Sequence, residues 1–267
     1  MALGLVVGAS DGIGAAFAWE LAARGYDLVL VARRETLLAE LADGLHAKHS
    51  IDVRTLAVDA GTPAGIAAIT AVPDVDLLVC NAALAPIRPF LELAPSELDA
   101  MLDLNCRTAV QLAHAFGTRM VARGGGGIVL LSSMAGNQGS ALIAHYAATK
   151  AYLRVLAEGL WAELGPLGVH VLACCPGLVA TPTYARSGAA PPGRLVPGPM
   201  PPRAVARESL AALGRQPVLI PGRRNRLLAS ASRLLSRRRL VAAATARTRA
   251  MYRPESRRSA PRAGSAE

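Results

Sequence analysis

Seven short apolar runs separated by stretches of helical periodicity constrain this chain more than any other feature. The runs are Leu3–Val7, Asp27–Val31, Val53–Val58, Val75–Cys80, Gly127–Leu131, Val169–Cys174 and Pro217–Ile220. Between them, helical patterns cover Ile13–Arg24, Glu35–His49, Gly65–Ala71, Ser96–Arg123, Tyr146–Leu164 and Arg203–Leu213. A strand with one wet face alternates apolar and polar residues; a strand that is apolar throughout is covered on both faces. Strands of the second kind, each followed by a helix, form a parallel sheet. Seven of them predict an α/β fold, a doubly wound parallel sheet. Gly25 and Gly168 stand where helices have to stop.

Composition agrees with this frame and narrows it. A 267-residue chain that is 52% hydrophobic is not disordered over most of its length. No apolar run reaches the ~18 residues of a membrane-spanning helix. Met1–Val7 has no basic leader and is expected to be a first strand, not a signal peptide. Cys80, Cys106, Cys174 and Cys175 have neither metal-site nor disulfide spacing. They imply a reduced, cytoplasmic protein without a metal. The net charge of +10 is unevenly spread. Residues 1–185 hold 11 Lys+Arg and 16 Asp+Glu, whereas residues 186–267 hold 18 Arg and 3 Glu. The basic character therefore belongs to the C-terminal third.

That third sets the expected domain boundaries. Residues 1–221 are expected to form one α/β domain. Within it, the Pro/Gly-rich stretch 182–202 is expected to be an irregular lid. Residues 222–252, arginine-rich with interspersed leucines, predict one or two amphipathic helices. Residues 253–267 are expected to be disordered. The basic segment has three possible uses. It is a solvated arm, a surface for anionic lipid or a cover for the pocket of this or a partner subunit, or a nucleic-acid contact. The last is not expected, because only Tyr252 interleaves the arginines as an aromatic.

The first strand runs into Gly8-Ala9-Ser10-Asp11-Gly12-Ile13-Gly14 and then into a helix. Such a turn is either a tight connection or a Rossmann-type dinucleotide site. In the second case the glycines let the backbone approach a pyrophosphate and the helix N-terminus faces it. The second strand ends in Arg33 and Arg34, where an acidic residue would read an NAD ribose. Two arginines suit the 2′-phosphate of NADP(H), with NAD(H) less favoured, unless they are solvated helix-start residues. Asp59 is either an acceptor for the adenine amino group or a helix cap.

Tyr146 and Lys150 are four residues apart. In a helix that spacing differs by about 40° around the axis, so the two share a face. A nearby ammonium favours the phenolate and is expected to lower the tyrosine pKa into a usable acid–base range. Ser133 ends a strand thirteen residues earlier, where its hydroxyl can hold a carbonyl oxygen beside the phenol. Asn105 falls inside a long helix, where it is either an exposed asparagine or an amide that serves better as a binder of water or backbone than as core.

Together these motifs resemble the short-chain dehydrogenase/reductase family over roughly residues 1–221. Gly8–Gly14 resembles the cofactor glycine motif, and Asn81-Ala82-Ala83 its N-A-G segment. Asn105, Ser133, Tyr146 and Lys150 resemble its catalytic tetrad in order and spacing. Pro176-Gly177-Leu178-Val179-Ala180-Thr181 is similar to the segment that meets the nicotinamide amide. Val7 and Cys80 depart from the usual threonine and asparagine, and Ala83 from the usual glycine. Ile220-Pro221-Gly222 and the basic helices are similar to a branch near 3-oxoacyl and hydroxysteroid reductases.

The resemblance implies hydride transfer between NADPH and a carbonyl carbon. Tyr146 would donate the proton, Lys150 would lower its pKa and hold the ribose, and Ser133 would orient the carbonyl. Asn105 would position a relay water. Cofactor contacts are expected at Gly8, Ser10, Asp11, Gly12, Ile13, Gly14, Arg33, Arg34, Asp59, Asn81, Ala82, Tyr146, Lys150, Pro176, Gly177, Val179 and Thr181. Ser133, Met134, Leu142, His145, Tyr146, Leu178 and the lid are expected to line a pocket for a lipophilic ketone or acyl thioester. His145 is either an extra acid or a solvent-facing helix-start residue. The alternatives are an NAD(P)-dependent alcohol or hydroxysteroid dehydrogenase, and a non-catalytic NADP-binding sensor or scaffold. The resemblance also implies a homodimer or homotetramer.

Overall fold

The computed structural model describes residues 2–191 and 197–252. The predicted tail 253–267 and the central part of the predicted lid, residues 192–196, lie outside them. The strands are β1 (Leu3–Val7), β2 (Asp27–Ala32), β3 (Val53–Ala57), β4 (Leu77–Cys80), β5 (Gly126–Leu131), β6 (Val169–Cys174) and β7 (Val218–Leu219). They form one sheet in the order β3-β2-β1-β4-β5-β6-β7, and all neighbours are parallel. This is the doubly wound, Rossmann-type architecture. The order reverses between β1 and β4, and the crevice beyond their carboxyl ends is where such sheets hold ligands.

The helices are α1 (Gly12–Ala22), α2 (Glu35–His46), α3 (Pro63–Thr70), α4 (Pro95–Leu102), α5 (Thr108–Ala122), α6 (Ala144–Leu164), α7 (Pro182–Arg186), α8 (Pro202–Ala212), α9 (Arg223–Ser232) and α10 (Arg237–Met251). Successive strand residues point to opposite faces, and here both faces are apolar. On one face Leu5, Val31, Leu78 and Leu130 pack with Ile66, Leu112, Phe116 and Leu153 of α3, α5 and α6. On the other, Val6, Leu30, Val79 and Val129 pack with Phe17, Leu21, Leu38 and Val205 of α1, α2 and α8. Phe17 and Phe116 are buried. Truncating either to alanine costs roughly 3–5 kcal/mol. β3, at the edge, exposes Arg54, Thr55 and Ala57.

Two expectations are corrected. Ser96–Arg123 is not one α-helix: a π-helical turn, Asp103–Arg107, separates α4 from α5 and carries Asn105. Such wide turns let a side chain leave the regular ladder. Nor is 182–202 wholly irregular. Proline is tolerated in a helix's first turn, where its missing N–H is not needed. Pro182 and Pro202 accordingly open α7 and α8, and Thr181 Oγ caps α7 by accepting from Tyr184 N at 3.1 Å. Val179 and Met200 form a parallel bridge across the base of the segment.

Candidate active site

Register brings the site together. Val7 lies beside Val31 and Cys80, so Gly8 and Asn81 emerge side by side at the carboxyl edge. Gly8 has φ +87°, and a Cβ there would stand 2.6 Å from Ala82 N. Asn81 Nδ2 donates to Gly8 O at 2.8 Å. A Cβ on Gly14 would be 2.0 Å from that same oxygen, so α1 can start this close to the turn only with glycine. The helix's first N–H groups and positive dipole end therefore open onto the crevice. This cradle, which a Cβ at Gly8 or Gly14 would fill, fits a pyrophosphate.

The arginines that follow β2 surround the turn. Arg34 Nη2 donates to Ser10 Oγ and Asp11 Oδ2, both at 2.7 Å. Arg33 is exposed and lies 3.7 Å from Asp59 Oδ2. Asp59 is not the cap of α3. Thr62 Oγ1 accepts from Gly65 N at 3.0 Å in that role, while Asp59 Oδ1 accepts from Gly61 N at 2.9 Å. Arg33 is thus the less tightly held of the pair, and Arg34 braces the loop.

Tyr146 and Lys150 stand on the face of α6 that meets the end of β5. Lys150 is buried, and its Nζ donates to Leu131 O at 2.7 Å and lies 5.6 Å from the Tyr146 ring centroid. Ser132 Oγ donates to Lys150 O at 2.6 Å, which ties the strand end to α6. Ser133, next along, instead faces the cleft beside the phenol and accepts from Ala135 N at 3.1 Å.

The expected depression of the tyrosine pKa is not what the protein shows. Burial pushes Tyr146 up to about 12; the Ser133 hydroxyl pulls the other way, and nearby Tyr252 adds to the rise. Burial also pushes Lys150 down, to about 8. Desolvation disfavours the charged form of each group, and the ammonium is directed at a carbonyl oxygen instead of the phenol. The four cysteines are free and buried.

Asn105 is almost wholly enclosed, at 1% exposure. Its Oδ1 accepts from Leu84 N at 2.8 Å, and its Nδ2 donates to Leu84 O at 2.9 Å and Thr149 Oγ1 at 3.1 Å. Thr149 in turn donates to Tyr146 O at 2.8 Å. The amide binds backbone, one of the two roles anticipated. Its donors are taken by protein groups, so it holds the Leu84 loop and the start of α6 in register and is not a water ligand through its side-chain nitrogen.

Ser132, Ser133, Tyr146 and Lys150 line a cleft of about 620 Å³, and Asn105 stands behind it. Met134, Leu178, Ser133 and Tyr146 line it as expected; Leu142 and His145 do not. Leu142 has φ +69°, which turns the chain there, and Ile143 takes its place. His145 Nε2 lies 3.1 Å from Leu98 O on the far side of α6, beside a second cavity. One residue along a helix rotates the side chain by about 100°, so a neighbour of Tyr146 cannot share its direction. Pro176, Gly177, Val179, Thr181, Ile13 and Asn81 also line the cleft.

The other wall comes from the basic segment, whose lining residues the sequence had not singled out. Leu228 of α9, together with Arg247, Met251 and Tyr252 at the end of α10, faces the cleft. Thr248 Oγ1 pairs with Ser140 Oγ at 2.8 Å, and Ala190 N donates to Met251 O at 2.9 Å. Of the uses foreseen for the basic segment, α10 therefore covers the pocket of its own chain.

A family model described as short chain dehydrogenase matches residues 3–191. The chain belongs to the short-chain dehydrogenase family. It is an oxidoreductase acting on carbonyl or hydroxyl groups. This dehydrogenase is 31% identical over 242 residues to a 7beta-hydroxysteroid dehydrogenase of Clostridium sardiniense, covering 90% of this chain and 92% of that one. It is 33% identical over 221 residues to a very-long-chain 3-oxoacyl-CoA reductase of Phaeosphaeria nodorum, of whose length those residues span 63%. A solved short-chain dehydrogenase from Sphingobium yanoikuyae in complex with NADPH superposes with TM-score 0.77 at 31% identity, covering 87% of this chain and 94% of that one. No helix among the described residues of this dehydrogenase is long and apolar enough to cross a membrane.

Proposed function

We propose that this enzyme reduces a lipophilic ketone or 3-oxoacyl-type carbonyl with NADPH, and that Tyr146 donates the proton to the nascent alkoxide. The observation that carries this proposal is a phenol held protonated, near pKa 12, in a largely apolar cleft beside the Ser133 hydroxyl. A general acid must hold its proton at working pH, and burial ensures that here. Ser133 would donate to the carbonyl oxygen as negative charge develops, a preorganised dipole. Lys150, charged below about pH 8, would hold the ribose side of the cofactor and the field around the phenol. Asn105, through Thr149, would keep the first turn of α6 in place.

NADPH, when bound, supplies the hydride. Gly8, Ser10, Asp11, Gly12, Ile13 and Gly14 would cradle its pyrophosphate, and Arg33 would meet the 2′-phosphate. Asn81, Ala82, Pro176, Gly177, Val179 and Thr181 would flank the nicotinamide. The NADPH complex of the Sphingobium relative supports the cofactor choice. Arg247, half-buried in the cleft wall with its pKa lowered by burial, favours a ketone that carries an acidic group at its far end.

The second reading, oxidation of a hydroxysteroid or similar alcohol, draws on the similarity to the Clostridium enzyme. The test is a panel of ketones and alcohols followed by absorbance of the reduced nicotinamide, with NADPH and NADH compared in the parent and in Arg33→Asp. Faster ketone reduction with NADPH, and loss of that preference in Arg33→Asp, is expected. Tight NADPH binding without turnover of any ketone or alcohol would instead favour a non-catalytic NADP-binding role.

A further inference from the structure

We propose that the corner between α9 and α10 docks this enzyme on an anionic lipid surface. Leu227 is 70% exposed, Leu234 90% and Leu235 43%. Large apolar side chains in water are ordinary when scattered, but a cluster framed by one sign of charge marks a contact surface. Arg223, Arg224, Arg233, Arg238 and Arg239 frame these three leucines and are all exposed. Two further arginines here are spoken for: Arg226 pairs with Glu208 at 3.0 Å, and Arg237 Nη1 donates to Asn137 O at 3.0 Å. The other five have no protein partner among the described residues. The sequence contains no Asp or Glu between Glu208 and Glu255, so nothing within this stretch neutralises them.

Charge and apolarity together select lipid. Arginines near an anionic bilayer each improve partitioning by about fivefold at low salt, and each inserted leucine by about tenfold or more. Nucleic acid would use the arginines and leave the leucines in water, and it favours aromatic rings among them. The one aromatic in the segment, Tyr252, faces the cleft instead. Attachment is peripheral, because no described helix can span a bilayer. The docking corner also adjoins the cleft: Leu227 points outward on α9 and the next residue, Leu228, lines the cavity. Docked this way, the enzyme would open its cleft beside the membrane, and a lipophilic substrate would enter without crossing water. The docking itself does not depend on the reaction proposed above.

The test is co-sedimentation of the full chain with phosphatidylcholine vesicles, with and without phosphatidylglycerol, at low and raised salt. Binding to the phosphatidylglycerol vesicles alone, weakened by salt, is expected. Leu234→Glu with Leu235→Glu should cut partitioning at least about a hundredfold at an unchanged melting temperature, because both side chains are exposed. Arg238→Ser with Arg239→Ser, which leaves the leucines, should cut it about twenty-fivefold at low salt. Absence of vesicle binding, or equal binding by parent and both double variants, overturns the proposal. So does tight binding to duplex DNA that survives the leucine replacements while vesicles are left behind.

Discussion

Gly14→Ala puts a methyl group into space that the glycine turn already fills. The new Cβ would lie 2.0 Å from Gly8 O and 2.7 Å from Asn81 Nδ2. Neither neighbour can swing away: one is backbone, and the other is fixed by its own 2.8 Å bond to Gly8 O. Relief requires α1 to move off the turn. Overpacking of this kind costs about 1–3 kcal/mol, and losing the Asn81 bond adds about 1 kcal/mol. The sum, roughly 2–4 kcal/mol, should lower Tm by about 5–15 °C in a chain of this size. NADPH affinity should fall as well, by about tenfold or more, since the helix N-terminus that faces the pyrophosphate is what moves. Differential scanning fluorimetry and NADPH fluorescence titration read the two effects. A variant with parental Tm and parental NADPH affinity would refute the claim that close approach at Gly14 builds the cradle.

Asn105→Ala strands the half-buried N–H and C=O of Leu84. It should destabilise the protein by roughly 2–4 kcal/mol in denaturant unfolding, a cost that a purely water-binding asparagine would not incur. The pH profile follows from Lys150. Its pKa, lowered from 10.5 to about 8, keeps the ammonium charged below that value and releases the proton above it, while Tyr146 near 12 stays protonated throughout. Reductive kcat/KM should therefore be flat on the acid side of about 8 and fall on the alkaline side, and Lys150→Arg should remove that step. Arg247→Gln should raise KM for a carboxylate-bearing ketone about tenfold relative to its neutral analogue, the loss of one charge-assisted hydrogen bond. An unchanged ratio would disconnect Arg247 from the substrate.

What was legible in the sequence is what local spacing encodes. Apolar runs placed the strands within a residue or two, because burial on both faces leaves little choice of residue. The glycine turn and the Tyr146–Lys150 pair were legible for the same reason: each is a short segment whose geometry follows from its own backbone. Asn105 was found, but its π-helical turn was not, since that turn accompanies a contact with Leu84, 21 residues away. The tyrosine pKa was misjudged because spacing gives proximity and not desolvation. Enclosure of the phenol outweighs its neighbouring cation, and the electrostatic influence of Tyr252, 106 residues further along the chain, adds to the rise. The α10 wall was hidden for a similar reason. A basic helical pattern specifies an amphipathic helix but not the surface onto which it folds, and the Ser140–Thr248 contact joins residues 108 apart.

Tyr146→Phe tests the central claim most directly, because it removes one oxygen and keeps the ring. The account predicts ketone reduction slowed by about a thousandfold, with NADPH affinity and melting temperature near those of the parent. A variant that reduces ketones at the parental rate would show that the proton comes from another group.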